Sequence, residues 1–408
     1  MNAAAPSHID ALTGVRAYAA LSVLVFHAWL NAGHPSIDIA FAGFALDLSP
    51  YAKYGWIGVD IFFVLSGFLL TRVAFARIEA GRTRVGDAAK TTSVGEPYWS
   101  FLRRRILRVF PAYFACISVL VALALAGVYR SVPGNLDLFL HLWMSHNFVE
   151  KYITSMNGVF WTLPFEWHFY LLFPLLFALL RRAGPVALFA AAACVVLATK
   201  AQVMLSDDGF GQLLVLIRLD AFCAGMAASA ISLRHPMTRP VARASAITAC
   251  AMLAAVPYVF ERQPGVVHYY DVAGFMRPFW IHLCICLVLC AITGARTKFV
   301  SLFDHPVVVG LGTISYSIYL WHLPVVELLA KAGTGQADPP SARGYFVLVA
   351  MTLAVVVPLS IASWVLVERP FQRAGRNVSG SAALDPVVVL GIWAAALLAT
   401  TMTINAIR

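Results

Sequence analysis

Charged residues are scarce in this sequence. They make up 12% of its 408 residues, whereas 60% of the residues are hydrophobic. Soluble domains are typically about 25% charged. The charges that are present lie between long apolar runs, a distribution typical of a helical protein that crosses a membrane several times. The composition therefore argues against a separate soluble domain.

The sequence also lacks cysteines outside its apolar runs, and it lacks a basic soluble face. All seven cysteines fall within apolar runs, which favours small core residues over disulfides or zinc ligands, and we expect no metal. The net charge of +10 comes from Lys and Arg near the ends of these runs, so we expect no nucleic-acid partner. No basic segment or cleavage signal precedes the first run, which we interpret as a permanent span.

Eleven apolar runs are long enough to predict transmembrane helices. Lys and Arg are concentrated in the loops that follow the even-numbered runs, which places those loops and the N-terminus in the cytoplasm. We therefore predict an all-α polytopic membrane protein, a bundle of about ten core transmembrane helices plus one extra C-terminal helix, surrounded by membrane lipids. The runs are residues 13–32, 55–78, 106–128, 160–180, 185–205, 210–232, 241–260, 279–295, 306–330, 344–367 and 386–405.

Four of these spans carry an ionisable residue at a comparable depth, in their outer halves: His27, Asp60, Glu166 and His322. A charge at the centre of a membrane helix costs about 2.5–3.5 kcal/mol, so such residues usually face a pathway or a partner. A neutral histidine beside a carboxylate can act as a general base toward a hydroxyl group. A structural pairing of Asp60, or of a lone histidine, remains an alternative interpretation.

A second polar layer lies toward the cytoplasmic ends of the spans. Its members are Arg16, Arg72, Arg105 and Arg108. Arg16 and His27 are eleven residues apart, which is a rise of about 16 Å along one face of a helix. Arginines bind phosphate through paired charge-assisted hydrogen bonds, although arginines at helix ends can also be topology anchors. An acyl-coenzyme A, with phosphates at one end and a thioester at the other, has the shape to join the two layers.

Six motifs that contain these residues resemble, in order, those of the acyltransferase-3 family of bacterial integral membrane O-acyltransferases. The motif that contains Glu166 aligns it with the family's acidic residue, whereas Trp167 stands where many relatives have a second acidic residue. The motifs are "HIDALTGVRAYAALSVLVFH" (8–27), "GWIGVDIFFVLSGFLL" (55–70), "FLRRRILRVFPAYF" (101–114), "WTLPFEWHFYLLFPLL" (161–176), "LGTISYSIYLWHLPV" (311–325) and "VERPF" (367–371).

The resemblance implies an acyltransferase-3-like transmembrane domain over residues 8–372, followed by a cytoplasmic linker and the extra helix over 373–408. It implies transfer of an acyl group, usually acetyl, from cytoplasmic acyl-coenzyme A to a hydroxyl at the outer side of the bacterial inner membrane. The acceptor would be a glycan, a lipid-linked sugar or another cell-surface polysaccharide; in some relatives it is a small secondary metabolite such as an antibiotic.

On this hypothesis the four arginines hold the phosphates of acyl-coenzyme A. His27, oriented by Glu166, takes the proton from the acceptor hydroxyl, and Asp60 and His322 complete the catalytic pocket. A covalent acyl-histidine intermediate is an alternative to direct transfer. The rival from another functional class is a transporter or flippase, which would need no coenzyme A site.

Overall fold

The computed structural model describes residues 10–41, 44–82, 98–205, 218–261, 272–295, 297–375 and 385–407. Long apolar helices dominate these residues, which confirms the predicted all-α membrane class. Seven of the described helices are long and apolar enough to cross a membrane, or eight if one bent pair counts as a single span. The sequence predicts eleven runs, but two of them join in one helix, and the described apolar helices Leu219–Arg234 and Phe279–Gly294 fall short of the 18 residues of a span.

Helices outnumber strands in the described part of the chain. They are α1 (Asp10–Asn31), β1 (Asp38–Phe41), β2 (Phe44–Asp47), α2 (Ser49–Lys53), α3 (Ile57–Arg82), α4 (Tyr98–Leu125), α5 (Asn135–Leu142), α6 (Leu163–Leu205), α7 (Leu219–Arg234), α8 (Arg239–Glu261), α9 (Val272–Gly294), α10 (Pro306–Thr313), α11 (Ser315–Lys331), α12 (Ala342–Ser363), α13 (Arg369–Ala374) and α14 (Pro386–Ile407).

The fourth and fifth predicted runs form one kinked helix, α6. Gly184 interrupts it with φ 88° and ψ 171°, and Pro185 follows directly. A positive φ is readily adopted only by glycine, and proline cannot donate to the helical hydrogen-bond ladder. The kink therefore lies at the boundary that the sequence predicts between the two runs. The sixth run, 210–232, is described only from residue 218, and the 16-residue helix α7 begins at Leu219.

The predicted run over 306–330 is divided into two helices, α10 and α11. Helices α10 and α11 meet at an angle of 71°. Gly312, at the end of α10, lies so close to α1 that a Cβ there would be 1.9 Å from the carbonyl oxygen of Thr13. Close packing on α1 thus holds α10 in a direction different from that of α11. The short antiparallel hairpin of β1 and β2, in which Asp38 pairs with Asp47, was not predicted.

Helix α3 forms the centre of the bundle and packs most tightly on α7. A Cβ at Gly67 would be 2.1 Å from the carbonyl oxygen of Phe222, and one at Gly225 would be 1.9 Å from that of Val64. Small residues at such crossings let membrane helices approach closely. Phe222 also stacks on Phe169 of α6, with ring centroids 4.1 Å apart. This packing fixes α3 and α6 relative to each other.

The segment before α6 is fixed by buried polar groups. The Nε2 of His146 donates to the carbonyl oxygen of Phe160 at 3.2 Å. The hydroxyl of Tyr113 donates to the backbone carbonyl oxygen of His141 at 3.1 Å. The hydroxyl of Ser155 donates to the carboxylate of Asp137 at 2.8 Å. These bonds hold the start of α6, and with it the first turn that carries Glu166.

The extra C-terminal helix α14 packs against α4 and α5. The indole N–H of Trp393 donates to the hydroxyl of Ser118 on α4 at 3.1 Å. Toward the end of α14, the side-chain N–H of Asn405 donates to the side-chain oxygen of Asn135 at 2.8 Å. The predicted boundary between a core domain and a linker after residue 372 stays a prediction, since residues 376–384 lie outside the described part of the chain.

Candidate active site

A cavity of about 450 Å³ lies within the bundle, bounded by α1, α3, α4, α6 and α11. All four arginines predicted to bind coenzyme A line it. Each is partly buried, and none of the four forms an ion pair with a carboxylate among the residues that the structure describes. Four guanidinium groups gathered in this way are suited to bind an anion. We call this part of the cavity the arginine end.

The cavity extends along α3. Its lining begins at Val59 and ends at Val73, fourteen residues apart, which corresponds to about 21 Å of helix. Between these positions the walls are mostly apolar, with Phe62, Phe63 and Leu69 among the lining residues. The cavity is therefore long, charged at one end and apolar toward the other.

Glu166 lines the cavity but does not contact His27 as the sequence hypothesis assumed. Its Oε1 accepts hydrogen bonds from the hydroxyl of Tyr170 and, at 3.3 Å, from that of Ser66. It also interacts electrostatically with Arg16 and Arg105. Glu166 thus belongs with the arginines and reduces the positive charge at their end of the cavity.

The side chain that lies within hydrogen-bond distance of His27 in the described part of the chain is that of another histidine, His322. The Nδ1 of His27 lies 3.1 Å from the Nε2 of His322 and 2.9 Å from the carbonyl oxygen of Val23. The Nδ1 of His322 lies 3.1 Å from the carbonyl oxygen of Ile318. Because a carbonyl oxygen only accepts, we assign the proton of each neutral ring to Nδ1. The Nε2 of His322 then accepts from His27, and the Nε2 of His27 keeps its lone pair as the basic atom.

Tyr319 connects the histidine pair to the cavity. It is one of the lining residues, and its ring centroid is 5.7 Å from that of His322. Its hydroxyl donates to the carbonyl oxygen of Val159 at 2.9 Å and accepts from Thr162 at 2.7 Å. The histidines therefore lie just beyond the apolar end of the cavity, which we call the histidine end. His322 is fully buried and His27 is partly exposed.

Asp60 lies in a different buried network. Its Oδ1 accepts from Arg218 at 2.7 Å and is 3.2 Å from the Nε2 of His282, whose Nδ1 is 3.5 Å from Asp220. None of the four side chains is more than 3% exposed. Asp60 is not among the residues that line the cavity. Its position supports the alternative interpretation, a structural pairing that joins α3 to α7 and α9.

We expect Asp60→Asn to lower the free energy of unfolding by about 3–5 kcal/mol, because the substitution removes the carboxylate that pairs with the buried guanidinium of Arg218. Thermal unfolding in detergent would measure the loss. Asp38→Asn, at an exposed position in the hairpin, is the matched control and should have no such effect. If Asp60→Asn unfolded like the wild type but had lost its activity, Asp60 would belong to the catalytic machinery.

Several site residues were not predicted from the sequence. Tyr170 lies four residues after Glu166, a helical spacing that could have indicated their hydrogen bond. Arg218 lay within a predicted span, and a charge at such a position signals a partner. Glu368, in a π-helical turn after α12, accepts from Ser317 and acts electrostatically on Arg108. No group of three or more His, Cys, Asp or Glu side chains in the described ranges could hold a metal ion.

Comparisons with known protein sequences point to one family. The sequence model of the family described as an acyltransferase domain, Acyl_transf_3, matches residues 9–363. The exopolysaccharide production protein ExoZ of Rhizobium meliloti (strain 1021) is 28% identical over 364 residues, which cover 86% of this chain and 96% of ExoZ. The O-acetyltransferase OatA of Staphylococcus aureus (strain NCTC 8325 / PS 47) is 24% identical over 345 residues, 79% of this chain.

The chain spans about half the length of OatA, since the match covers 51% of that protein. No solved structure matches the chain. The family match nevertheless extends over most of the bundle, from the first residues of α1 to the end of α12, and includes all the residues that line the cavity. The chain therefore belongs to the acyltransferase-3 family of acyl-transferring enzymes.

Proposed function

We propose that the chain is a membrane O-acyltransferase that moves an acyl group, in the first place acetyl, from acyl-coenzyme A to a hydroxyl of a glycan or glycolipid. One observation carries the proposal. One cavity is lined at one end by four arginines and a single carboxylate, that of Glu166, and a histidine pair with one basic nitrogen lies beyond its other end. The phosphates of a thioester donor need cations, which the arginines supply, and transfer of the acyl group needs a base, which the histidine pair supplies. The distance between the arginines and the histidines suits the length of such a donor.

The arginine end would bind the phosphates of the donor. Arg16, Arg72, Arg105 and Arg108 come from three helices, so they surround an anion rather than line one side of it. Hydrogen bonds between guanidinium groups and phosphate are strong and directional. Glu166, held by Tyr170 and Ser66, would keep these side chains in position and limit their repulsion. The role of Glu166 thus becomes one of positioning at the donor site.

The histidine end would perform the transfer. The Nε2 of His27 takes the proton from the acceptor hydroxyl, whose oxygen attacks the thioester carbonyl carbon. The carbon–sulfur bond then breaks, and the sulfur of coenzyme A leaves with the proton that His27 had accepted. His322 accepts a hydrogen bond from the Nδ1 of His27 and thereby fixes the ring with Nε2 toward the reaction. A covalent acyl-His27 intermediate would use the same nitrogen.

We also propose a membrane orientation and an acceptor. Coenzyme A is cytoplasmic, so we place the arginine end and the N-terminus at the cytoplasmic side of the bacterial inner membrane, as the Lys and Arg distribution predicts. The acceptor would then reach His27 from the outer side. The names of ExoZ and OatA, an exopolysaccharide production protein and an O-acetyltransferase, support a cell-surface polysaccharide or lipid-linked sugar. A small secondary metabolite is the second class of acceptor to test.

A radiolabel experiment tests this function. Membranes that contain the wild-type chain are incubated with labelled acetyl-coenzyme A and a glycan and lipid extract of the host, beside membranes without the chain. We expect label in a glycan or glycolipid only with the chain present, and thermal stabilisation of the purified chain by coenzyme A. Failure of both transfer and coenzyme A binding would contradict the proposal and favour a transporter or flippase.

A further inference from the structure

Three polar side chains lie beyond the histidine pair, on the side away from the cavity. They are Glu327 of α11 and the two residues Tyr129 and Arg130, which follow α4, and we call them the Glu327 cluster. Along α11 the cavity-lining Tyr319 comes first, His322 follows three residues later, and Glu327 follows five residues after that. The backbone of Glu327 therefore lies about 7.5 Å further along the helix axis than that of His322.

The carboxylate of Glu327 is held in place by two donors. Its Oε1 accepts a hydrogen bond from the guanidinium of Arg130 at 2.7 Å, and its Oε2 accepts from the hydroxyl of Tyr129. The guanidinium of Arg130 also donates to the carbonyl oxygens of Thr154 and Ser155. Each carboxylate oxygen therefore has its own donor, and the ion pair with Arg130 fixes the direction of the side chain.

The loop to which Arg130 donates is itself packed on α11. A Cβ at Gly158 would lie 2.9 Å from the Cδ2 of Leu323 and 4.0 Å from the Nη2 of Arg130. The side-chain amide of Asn157 donates to the carbonyl oxygen of Leu320 at 3.1 Å. These contacts hold the loop, and with it the guanidinium, at a constant distance from the helix that also carries the second histidine of the pair.

The proposed reaction places a positive charge on His27. When its Nε2 takes the proton of the acceptor hydroxyl, the ring becomes an imidazolium inside the bundle, where an unbalanced charge is costly. Of the carboxylates that the structure describes, the one that acts electrostatically on His27 is Glu327. Glu166 lies with the arginines, and Asp60 pairs with Arg218. Glu327 is therefore the carboxylate placed to offset the charge on the imidazolium.

We infer that Glu327 is a positioning residue of the transferase, whose negative charge stabilises the imidazolium of His27 while the proton is held there. The proton moves from the acceptor hydroxyl to the Nε2 of His27 and then to the sulfur of coenzyme A, so Glu327 neither gains nor loses one. Tyr129 and Arg130 keep the carboxylate in place throughout. This inference rests on the proposed function, because it assumes that His27 is the base.

Removal of the charge tests this role. Glu327→Gln and Glu327→Ala should each lower kcat for acetyl transfer by about tenfold, within the range measured for coupled residues. The KM for acetyl-coenzyme A should stay unchanged, because the arginine end is untouched. Glu327→Asp keeps the charge and should retain more of the rate. In His27→Ala the same two substitutions should cause no further loss, since no imidazolium forms there. Rates are normalised to the folded level of each variant, measured by size-exclusion chromatography.

Two controls separate the charge from the structure around it. Glu150→Gln is the same substitution at an exposed position and should keep the wild-type rate. Tyr129→Phe removes a hydrogen bond to the same carboxylate but keeps its charge, so it should lose less than Glu327→Gln. A wild-type kcat in a folded variant without the charge would overturn the inference and leave the proposed function intact. An equal loss with and without His27 would indicate a purely structural role and overturn it as well. Absence of transfer by the wild type would overturn the proposed function and the inference with it.

Discussion

Replacement of His27 by alanine should reduce acetyl transfer by about 10²–10⁴-fold, the range that a general base contributes. With the proton of each ring assigned to Nδ1, the Nε2 of His322 accepts from His27, and the Nε2 of His27 is the basic nitrogen of the pair that these hydrogen bonds leave available. Alanine removes the base without adding a group that could replace it. The measurement is the initial rate of label transfer from acetyl-coenzyme A, normalised to the folded protein.

His168→Ala is the matched control for this substitution. His168 is also a partly buried histidine, and it packs against Phe148, with ring centroids 5.6 Å apart, rather than against the cavity. The His168→Ala variant should retain most of the wild-type rate of acetyl transfer. Coenzyme A should still stabilise His27→Ala, because the arginine end is unchanged. Transfer at the wild-type rate by folded His27→Ala would remove this residue from the chemistry.

Replacement of Arg105 by glutamine should raise the KM for acetyl-coenzyme A by about 10- to 150-fold, the equivalent of one hydrogen bond to a charged group. Arg105 lines the cavity and lies 5.6 Å from the ring centroids of both Phe101 and Tyr170, which fix its guanidinium. Because the phosphates do not react, the lost bond weakens ground state and transition state equally, and kcat should change little.

Arg369→Gln provides the comparison for Arg105. Arg369 is exposed and lies over the ring of Trp364, and it does not line the cavity. Its replacement should leave the KM for the donor within about twofold of the wild type, since exposed surface charges contribute little. A large loss of kcat with an unchanged KM in Arg105→Gln would contradict a phosphate-binding role and indicate a role in the chemical step.

The sequence predicts the arginine layer better than it predicts the surroundings of Glu166. Position along a helix places Arg16, Arg72 and Arg105 in one layer, and all three line the same cavity. The same reasoning places Glu166 at the level of His27, yet its carboxylate accepts a hydrogen bond from Ser66 of α3 and interacts with Arg16 and Arg105. Which side chains of other helices lie beside Glu166 depends on packing between helices, which no single span encodes.

The elements that the sequence did not predict depend on tertiary contacts. The bend before α11 is stabilised by the approach of Gly312 to α1, and an apolar run such as 306–330 gives no sign of it. The ion network of Asp60 requires Arg218 and His282 from two other helices. By contrast, the kink at Gly184 follows from a local Gly-Pro pair and coincides with a predicted boundary.

The most direct test of the central claim is a structure of the chain with coenzyme A bound, determined by electron cryomicroscopy in a lipid nanodisc. The claim is that one cavity joins a phosphate site to the histidine pair. We predict phosphate oxygens within hydrogen-bond distance of Arg16, Arg72, Arg105 and Arg108, with the thiol directed toward Tyr319. Coenzyme A bound outside the cavity, or with its thiol among the arginines, would contradict the account.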